Sequence, residues 1–390
     1  LRDVRSGAIW SSGLQPTLRE PQDYEVVFTE SKADFRRRDA GIFTHTEIIV
    51  STEDDAELRR VTLTNESTRT REIEITSYAE IVLNEQAADE AHPAFSNMFV
   101  GTEYLAAQQT LLARRRPRSA EDAEVWGAQT VVASGEIIGE IGFETDRAAF
   151  LGRNRTAQNP LAITSENAQA GTAGATLDPI FSLRIRVLIP PGESATLVFS
   201  TIVADSREKT LRLSDKYRET RAFERANKLA WTRSQVELRH LGISTDEANL
   251  FQRLAGHLIY AGETLRPRPR VLKLNRGTQK DLWKYGIGGD LPLMIVRVSE
   301  GKDARYGIRQ ILRGHAYLHG KKLLFDLLIL NDQPLSYEQS FGEDLQAMIR
   351  SGGMQTRMDT PGGIFLRRTD VMSEADRITL HTAARVTFVT

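Results

Sequence analysis

The chain reads as a multidomain α+β protein: an antiparallel β-sandwich in front, a helical linker, a helical region and a small parallel α/β unit at the end. Three observations predict it. Apolar and polar residues alternate in short runs up to about Asp205. From Ser206 to His240 apolar residues recur at helical spacing among Arg, Glu and Lys. From Lys321 apolar strands alternate with helices. The divisions fall at about 1–205, 206–240, 241–320 and 321–390.

In the front region Tyr24–Phe28, Thr44–Val50, Arg59–Thr64 and Arg71–Tyr78 are rich in Val, Ile, Thr and aromatics, with polar breaks between them. Arg71–Leu83 alternates Ile73, Ile75 and Ser77 against Glu72, Glu74 and Thr76, the pattern of a strand with one wet face. Phe181–Ile189 and Ala195–Val203 keep the same period around Pro190-Pro191-Gly192, which predicts a hairpin. The basic cluster Arg114, Arg115, Arg116 and Arg118 is followed by Glu121, Asp122 and Glu124, which predicts local neutralisation. Asn65–Ser67 and Asn154–Thr156 fit the glycosylation triplet, a pattern common by chance.

The linker carries Leu211, Leu213, Tyr217, Phe223, Ala226, Leu229, Ala230 and Val236 at helical spacing, in one helix or two. Thr245–Leu265 follows as a helix with Thr245 as N-cap and Leu250, Leu254, Leu258 and Ile259 as its buried stripe; Pro267 and Pro269 end it. Ala304–His319 is helical. His315 and His319 stand one turn apart, but no HExxH glutamate or third ligand accompanies them, so they read as flanking a helix end and no metal is expected. In the last region Leu323–Asp332, Gly362–Asp370 and Arg385–Val389 read as strands, with Ser336–Arg350 and Ser373–Ala384 as helices. Ser373 caps the latter, and Asp376 stands at the capping-box position. Asp332 and Asp370 follow strand ends, where parallel sheets hold ligands, yet no glycine-rich phosphate loop accompanies either.

The 51 Lys and Arg nearly balance 52 Asp and Glu. That argues against the basic face a nucleic-acid partner needs. No run approaches the ~20 apolar residues of a membrane helix, so no membrane contact is expected from this segment itself. The absence of cysteine excludes disulfides, thiolate metal sites and a Cys nucleophile. Without an initiating Met, and with a strand-like RVTFVT at its end, the chain reads as cut from something longer.

The densest stretch is Asp281–Arg297, DLWKYGIGGDLPLMIVR. Trp283 and Tyr285 are candidate stacking rings for a sugar, Gly286, Gly288 and Gly289 permit tight bends, and Asp290 is a candidate acid. Trp10 is a further stacking candidate, and Lys284 and Arg297 are candidate anion contacts. The competing reading is structural: a loop entering a core helix, with Asp290 as N-cap and Pro292 in the first turn.

LRDVRSGAIWSSGLQPTLREPQDYEV, ELRRVTLTNESTRTREIEITSYAE and IRVLIPPGESATLVFSTIVADSRE together resemble glycosyltransferase family 36, now grouped with the inverting phosphorylases of glycoside hydrolase family 94. LWKYGIGGDLPLMIVRV, HAYLHGKKLLFDLLILNDQ and GGIFLRRTD resemble its cyclic β-1,2-glucan synthase and β-1,2-oligoglucan phosphorylase branch. The resemblance runs along the whole chain. It implies a β-supersandwich, a helical linker and the first helices of an (α/α) barrel. It also implies a β-glucan oligosaccharide or polysaccharide as partner, alongside the rest of a longer chain or a homodimer partner. No cofactor is implied, only inorganic phosphate as a co-substrate of the parent enzyme. In that chemistry one carboxylic acid protonates the glycosidic oxygen while phosphate attacks the anomeric carbon from the opposite face. The location implied is the cytoplasm, or the cytoplasmic face of a bacterial inner membrane through other parts of the parent. The barrel's catalytic acid has no recognisable motif here, and the α/β end departs from the compact phosphorylases. A non-catalytic binding or scaffolding segment of a larger synthase is therefore the alternative.

Overall fold

The computed structural model describes residues 1–119, 122–165, 169–298, 302–331, 346–350 and 355–389. It divides into two compact units, Leu1–Ser234 and Gln235–Thr390. The class is the mixed α+β one predicted, with large antiparallel sheets in the first unit and a small parallel sheet in the second.

The first unit stacks a nine-stranded antiparallel sheet on a six-stranded one. The larger runs from Gly174–Ala175 through Val100–Leu105, Thr110–Arg115, Val125–Ser134, Ser194–Ala204, Ala56–Asn65, Ile42–Val50 and Lys32–Asp39 to Asp23–Phe28. The smaller is built on Pro179–Ile189, which pairs with Arg71–Thr76, Ala79–Glu80, Glu136–Ile137 and Gly142–Asp146. Inner-face residues from both sheets form one core, including Leu63, Ile73, Ile75, Leu183, Ile185, Val187 and Leu197. Burying every second residue of a strand is what the alternating sequence dictates.

Two expectations are corrected here. Pro179–Ile189 and Ser194–Ala204 do not form a hairpin: they belong to different sheets. Their apolar faces meet across the interior, so the Pro190–Glu193 turn carries the chain round the sandwich corner. Asn65 fastens that corner. Its Nδ2 donates to the carbonyls of Ile189 and Arg69, each at 2.7 Å, and its backbone N–H donates to Glu193 O at 3.0 Å. Asn65 is fully buried, so its triplet is no glycan acceptor. The expected wet face of Arg71–Thr76 is also partly dry: Glu74 is buried, paired with Arg186 at 2.6 Å and Arg2 at 3.4 Å. A charge with buried partners can occupy a sandwich flank without solvent.

The linker is two helices, Arg207–Arg218 and Ala222–Leu241. Ser206 caps the first, its hydroxyl accepting from Lys209 N–H. Leu213, Tyr217, Phe223 and Ala226 cover the outer face of the larger sheet, against Ile49, Leu58, Leu112 and Trp126. In the arginine cluster Arg114 pairs with Glu124 at 2.7 Å, the backbone N–H of Arg118 donates to Asp122 at 2.8 Å, and Arg115 and Arg116 donate to the carbonyls of Ser96 and Met98 at 2.9 and 3.2 Å.

Among the described residues of the second unit four strands are parallel, in the order Ile364–Arg368, Asp326–Asn331, Leu293–Val298, Ala384–Val389. Leu293–Val298 corrects the reading of 291–298 as the start of a core helix: Pro292 precedes a strand, whose first four residues, Leu293, Met294, Ile295 and Val296, are all apolar and all buried. That strand is one of the two central members of the sheet, so the helices around it cover a sheet and do not start a ring of helix pairs. Met294, Val296 and Val298 face Phe251, Leu258, Leu312 and Leu318 of the helices Thr245–Ile259 and Lys302–Gly320. Leu293 and Ile295 face Leu282, Ile287 and Leu380 on the other side. The N-cap of Thr245–Ile259 is Ser244, one residue earlier than predicted, in a capping box with Glu247. Its buried residues are Ala248, Phe251 and Leu258, while Leu250 and Ile259 are exposed. The helix Glu374–Ala383 starts as predicted, with Ser373 accepting from Asp376 N–H. Of the helix predicted over Ser336–Arg350, residues 336–345 lie outside the described residues, as does Asp332.

Candidate functional site

The aromatic and glycine-rich loop begins with a short helix, Lys280–Trp283, whose Leu282 is anchored in the core beneath it. Buried Leu282 and Ile287 bracket the loop, so Trp283 is pushed outward and is 58% exposed. Its Nε1–H donates to Gly288 O at 3.3 Å, which fixes the ring edge and leaves a face open to solvent. Gln279 closes the loop from the other side: its Nε2 donates to Gly288 O at 2.8 Å and to Asp290 Oδ1 at 3.1 Å. The close approach requires glycine at 289, where φ is +82° and an added Cβ would stand 2.8 Å from Gln279 Cγ.

Tyr285 faces differently. Its ring packs against the core, and its hydroxyl donates to Asp376 Oδ2 at 2.9 Å. Burial, then the hydrogen bond and charge of Asp376, push the phenol up to about 12. Lys284 also pairs with Asp376, and that ion pair, with the Ser373 and Tyr285 hydrogen bonds, holds the Asp376 carboxyl below its usual range. Arg367 donates to Tyr285 O at 2.7 Å and pairs with Asp359 at 2.8 Å. The loop is therefore tied to the helix Glu374–Ala383 and to the edge strand Ile364–Arg368.

Asp290 is exposed and lines an open cleft of about 480 Å³, with Gln279, Gly289, Thr379, Thr382 and Arg385. Neither Trp283 nor Tyr285 lines that cleft, so the loop presents the acid and the indole in different directions. The cleft opens at the N-terminal ends of Leu293–Val298 and Ala384–Val389, opposite to the carboxyl ends where parallel sheets usually hold ligands. Asp370, past one of those carboxyl ends, is engaged by Arg368, which lowers its pKa.

Trp10 is corrected as an exposed stacking ring. It belongs to the first unit and has no solvent-exposed surface, because it fills the inter-sheet core. Its indole lines an inter-sheet cavity of about 510 Å³ together with Phe35, Phe199 and Gln129. The histidine pair stands at the end of Lys302–Gly320, as expected, with His319 in the last turn and His315 one turn before it. His315 is 1% exposed, lies 4.8 Å ring to ring from Phe325, and burial holds its pKa down to about 4.

One cluster had no sequence signal. Asp34, His45 and Glu47 bring donor atoms within 4.8 Å of one another. They come together because Lys32–Asp39 pairs with Ile42–Val50 in a register that puts Asp34 opposite Glu47. Lys32 Nζ stands 2.8 Å from Asp34 and 2.9 Å from Glu47, and Arg60 donates to Glu47 at 2.6 Å. Two protein cations already neutralise the acids, so the arrangement is an ion-pair network and not a cation cage.

The two-sheet sandwich followed by charged linker helices has the architecture of a glycosyl hydrolase supersandwich domain. The chain belongs to the glycosyl hydrolase 94 family, whose supersandwich-domain model matches residues 1–220. Along its whole length it is 37% identical to the cyclic β-(1,2)-glucan synthase NdvB of Rhizobium meliloti (strain 1021), of which it spans 14%. It is 28% identical over 216 residues to the solabiose phosphorylase of Paenibacillus borealis, covering 55% of this chain and 27% of that one. It is 25% identical over 221 residues to the N,N'-diacetylchitobiose phosphorylase of Vibrio furnissii, covering 56% and 26%. The chain thus spans under a third of each of these relatives.

Proposed function

We propose that this chain is part of a glycosyltransferase or phosphorylase acting on β-1,2-linked glucan, and that it contributes saccharide-contacting surface to that larger enzyme. The observation carrying this reading is the extent of similarity: the glucan synthase matches all 390 residues, the α/β unit included, while the two phosphorylases match little more than half. In this reading Trp283 is a stacking platform, and Asp290 is a hydrogen-bonding group in the separate cleft that the loop borders. The parent works in the cytoplasm or at the cytoplasmic face of the inner membrane, held there by other segments; no described helix here is long and apolar enough to cross a membrane.

A second reading, a non-catalytic binding or scaffolding segment, is favoured by the described helices of the second unit, which cover a parallel sheet and do not pair into a barrel. Incubating the chain with β-1,2-linked gluco-oligosaccharides and phosphate separates the two. Sugar phosphate release would place chemistry on this chain, and saturable binding without turnover favours the scaffold. For the loop, Trp283→Ala is expected to weaken oligosaccharide binding with little change in melting temperature. Unchanged affinity would remove Trp283 from the site.

A further inference from the structure

The first unit carries a second exposed indole with the surroundings of a ligand cleft. The chain has four tryptophans. Trp10 and Trp126 are buried, whereas Trp231 on the second linker helix is 58% exposed. Glu224, Asn227, Lys228 and Trp231 recur at i, i+3, i+4 and i+7, so they share one face of Ala222–Leu241. That face lies opposite the turn joining Asp23–Phe28 to Lys32–Asp39, and between them is a cleft of about 520 Å³ lined also by Glu30 and Lys32. Its size lies within the about 300–1,000 Å³ of small-ligand clefts.

The polar groups of the cleft fall into two kinds. Lys32 and Glu224 are held by framework ion pairs, Lys32 with Asp34 and Glu47 and Glu224 with Arg60, so they shape the walls. The others are available. Among the described residues no side-chain hydrogen bond engages Asn227, Lys228, the Trp231 indole or the Glu30 carboxylate. The cleft therefore offers a flat apolar ring, an amide that both donates and accepts, an ammonium donor and a carboxylate acceptor.

We propose that this cleft is a saccharide-binding site distinct from the Trp283 loop, in which Trp231 stacks on the apolar face of a glucosyl unit and Asn227, Lys228 and Glu30 hydrogen-bond its hydroxyls. A neutral pyranose matches that set: alternate hydroxyls donate and accept around the rim, and the C–H faces are apolar. A protein-docking surface would present a wider apolar patch than one indole ringed by charge. The proposal rests on the reading of the parent as a glucan-active enzyme, but it assigns a different site.

The test titrates β-1,2-linked gluco-oligosaccharides into the full 390-residue chain, following affinity by calorimetry and the four indole N–H resonances by NMR. Wild type, Trp231→Ala, Trp231→Phe, Asn227→Ala and Trp283→Ala are compared. The expected result is a shift of the Trp231 indole resonance on binding, a loss of about tenfold in affinity in Trp231→Ala, a smaller loss in Trp231→Phe, and retained binding at this site in Trp283→Ala. An unmoved Trp231 resonance with unchanged affinity in Trp231→Ala and Asn227→Ala overturns the proposal, even where Trp283→Ala shows that the chain binds glucan elsewhere. Binding lost in Trp231→Ala and intact in Trp283→Ala overturns the role given to the Trp283 loop and leaves this cleft standing. No binding by the wild-type chain overturns both.

Discussion

At the scale of single residues, burial decides what each candidate side chain can do. Trp10, Trp231 and Trp283 have the same chemistry, but only the last two offer a ring to solvent. His315 shows the electrostatic side of the same rule. Its ring is buried beside Phe325, and desolvation, aided by the nearby charges of His319 and Arg357, keeps it neutral down to about pH 4, against an ordinary value of 6.5. Because the folded-state value is the lower one, the neutral ring's contribution is intact above pH 6.5 and is lost as pH falls toward 4. At about 1.4 kcal/mol per unit, the loss reaches roughly 3 kcal/mol. Melting curves at pH 7 and pH 4 should therefore lie closer together in His315→Leu than in wild type; an identical gap would remove His315 as the acid-sensitive group. Asn65 is a second decisive residue. Removing its amide by Asn65→Ala leaves the Ile189 and Arg69 carbonyls without their donor, at a cost of about 3 kcal/mol. Denaturant unfolding measures this directly, and a change under about 0.5 kcal/mol would show that water replaces the amide.

At the scale of elements, the close contact between Thr245–Ile259 and Lys302–Gly320 depends on one position. A Cβ at Gly314 would lie 2.9 Å from Cδ1 and Cε1 of Phe251. Alanine there gains about 1 kcal/mol of helix propensity, but the overpacked ring costs about 1–3 kcal/mol. Gly314→Ala is thus expected to lower the melting temperature, and Phe251→Leu in the same chain to recover part of it. If Gly314→Ala alone raises the melting temperature, the two helices have room to part. Elements also show where sequence period is ambiguous. The run 291–298 is apolar almost throughout, and a continuous apolar run fits a buried helix or a strand covered on both faces. Proline is no guide either: Pro292 opens a strand here, while Pro190 and Pro191 open a corner that the same residues would make as a hairpin.

At the scale of the molecule, each unit has its own apolar core, one between the two large sheets and one on each face of the parallel sheet. A chain ending at Leu241 keeps the sandwich and both linker helices, and should show a cooperative melt with a β-type circular dichroism spectrum. A broad, featureless transition would show that the sandwich requires the second unit. Of the site, the sequence marked Trp283, Tyr285 and Asp290 by composition. It could not separate them, because which way each side chain leaves a loop depends on what is packed beneath it. The cleft at Trp231 left a trace in the helical spacing of Glu224, Asn227, Lys228 and Trp231, but its other wall comes from residues nearly two hundred positions earlier.

What the sequence determined by itself was everything governed by period and local chemistry: an alternating front that must become half-buried strands, a charged linker at helical spacing, the Ser373 cap, and parallel strands too apolar to face water. Tertiary structure alone decided which strands share a sheet, that Glu74 and Asn65 lie dry, that 291–298 is a strand, and which indoles reach solvent. Hydrogen-bonding register and side-chain burial arise between segments far apart in the chain, and no local pattern encodes the partner on the other side.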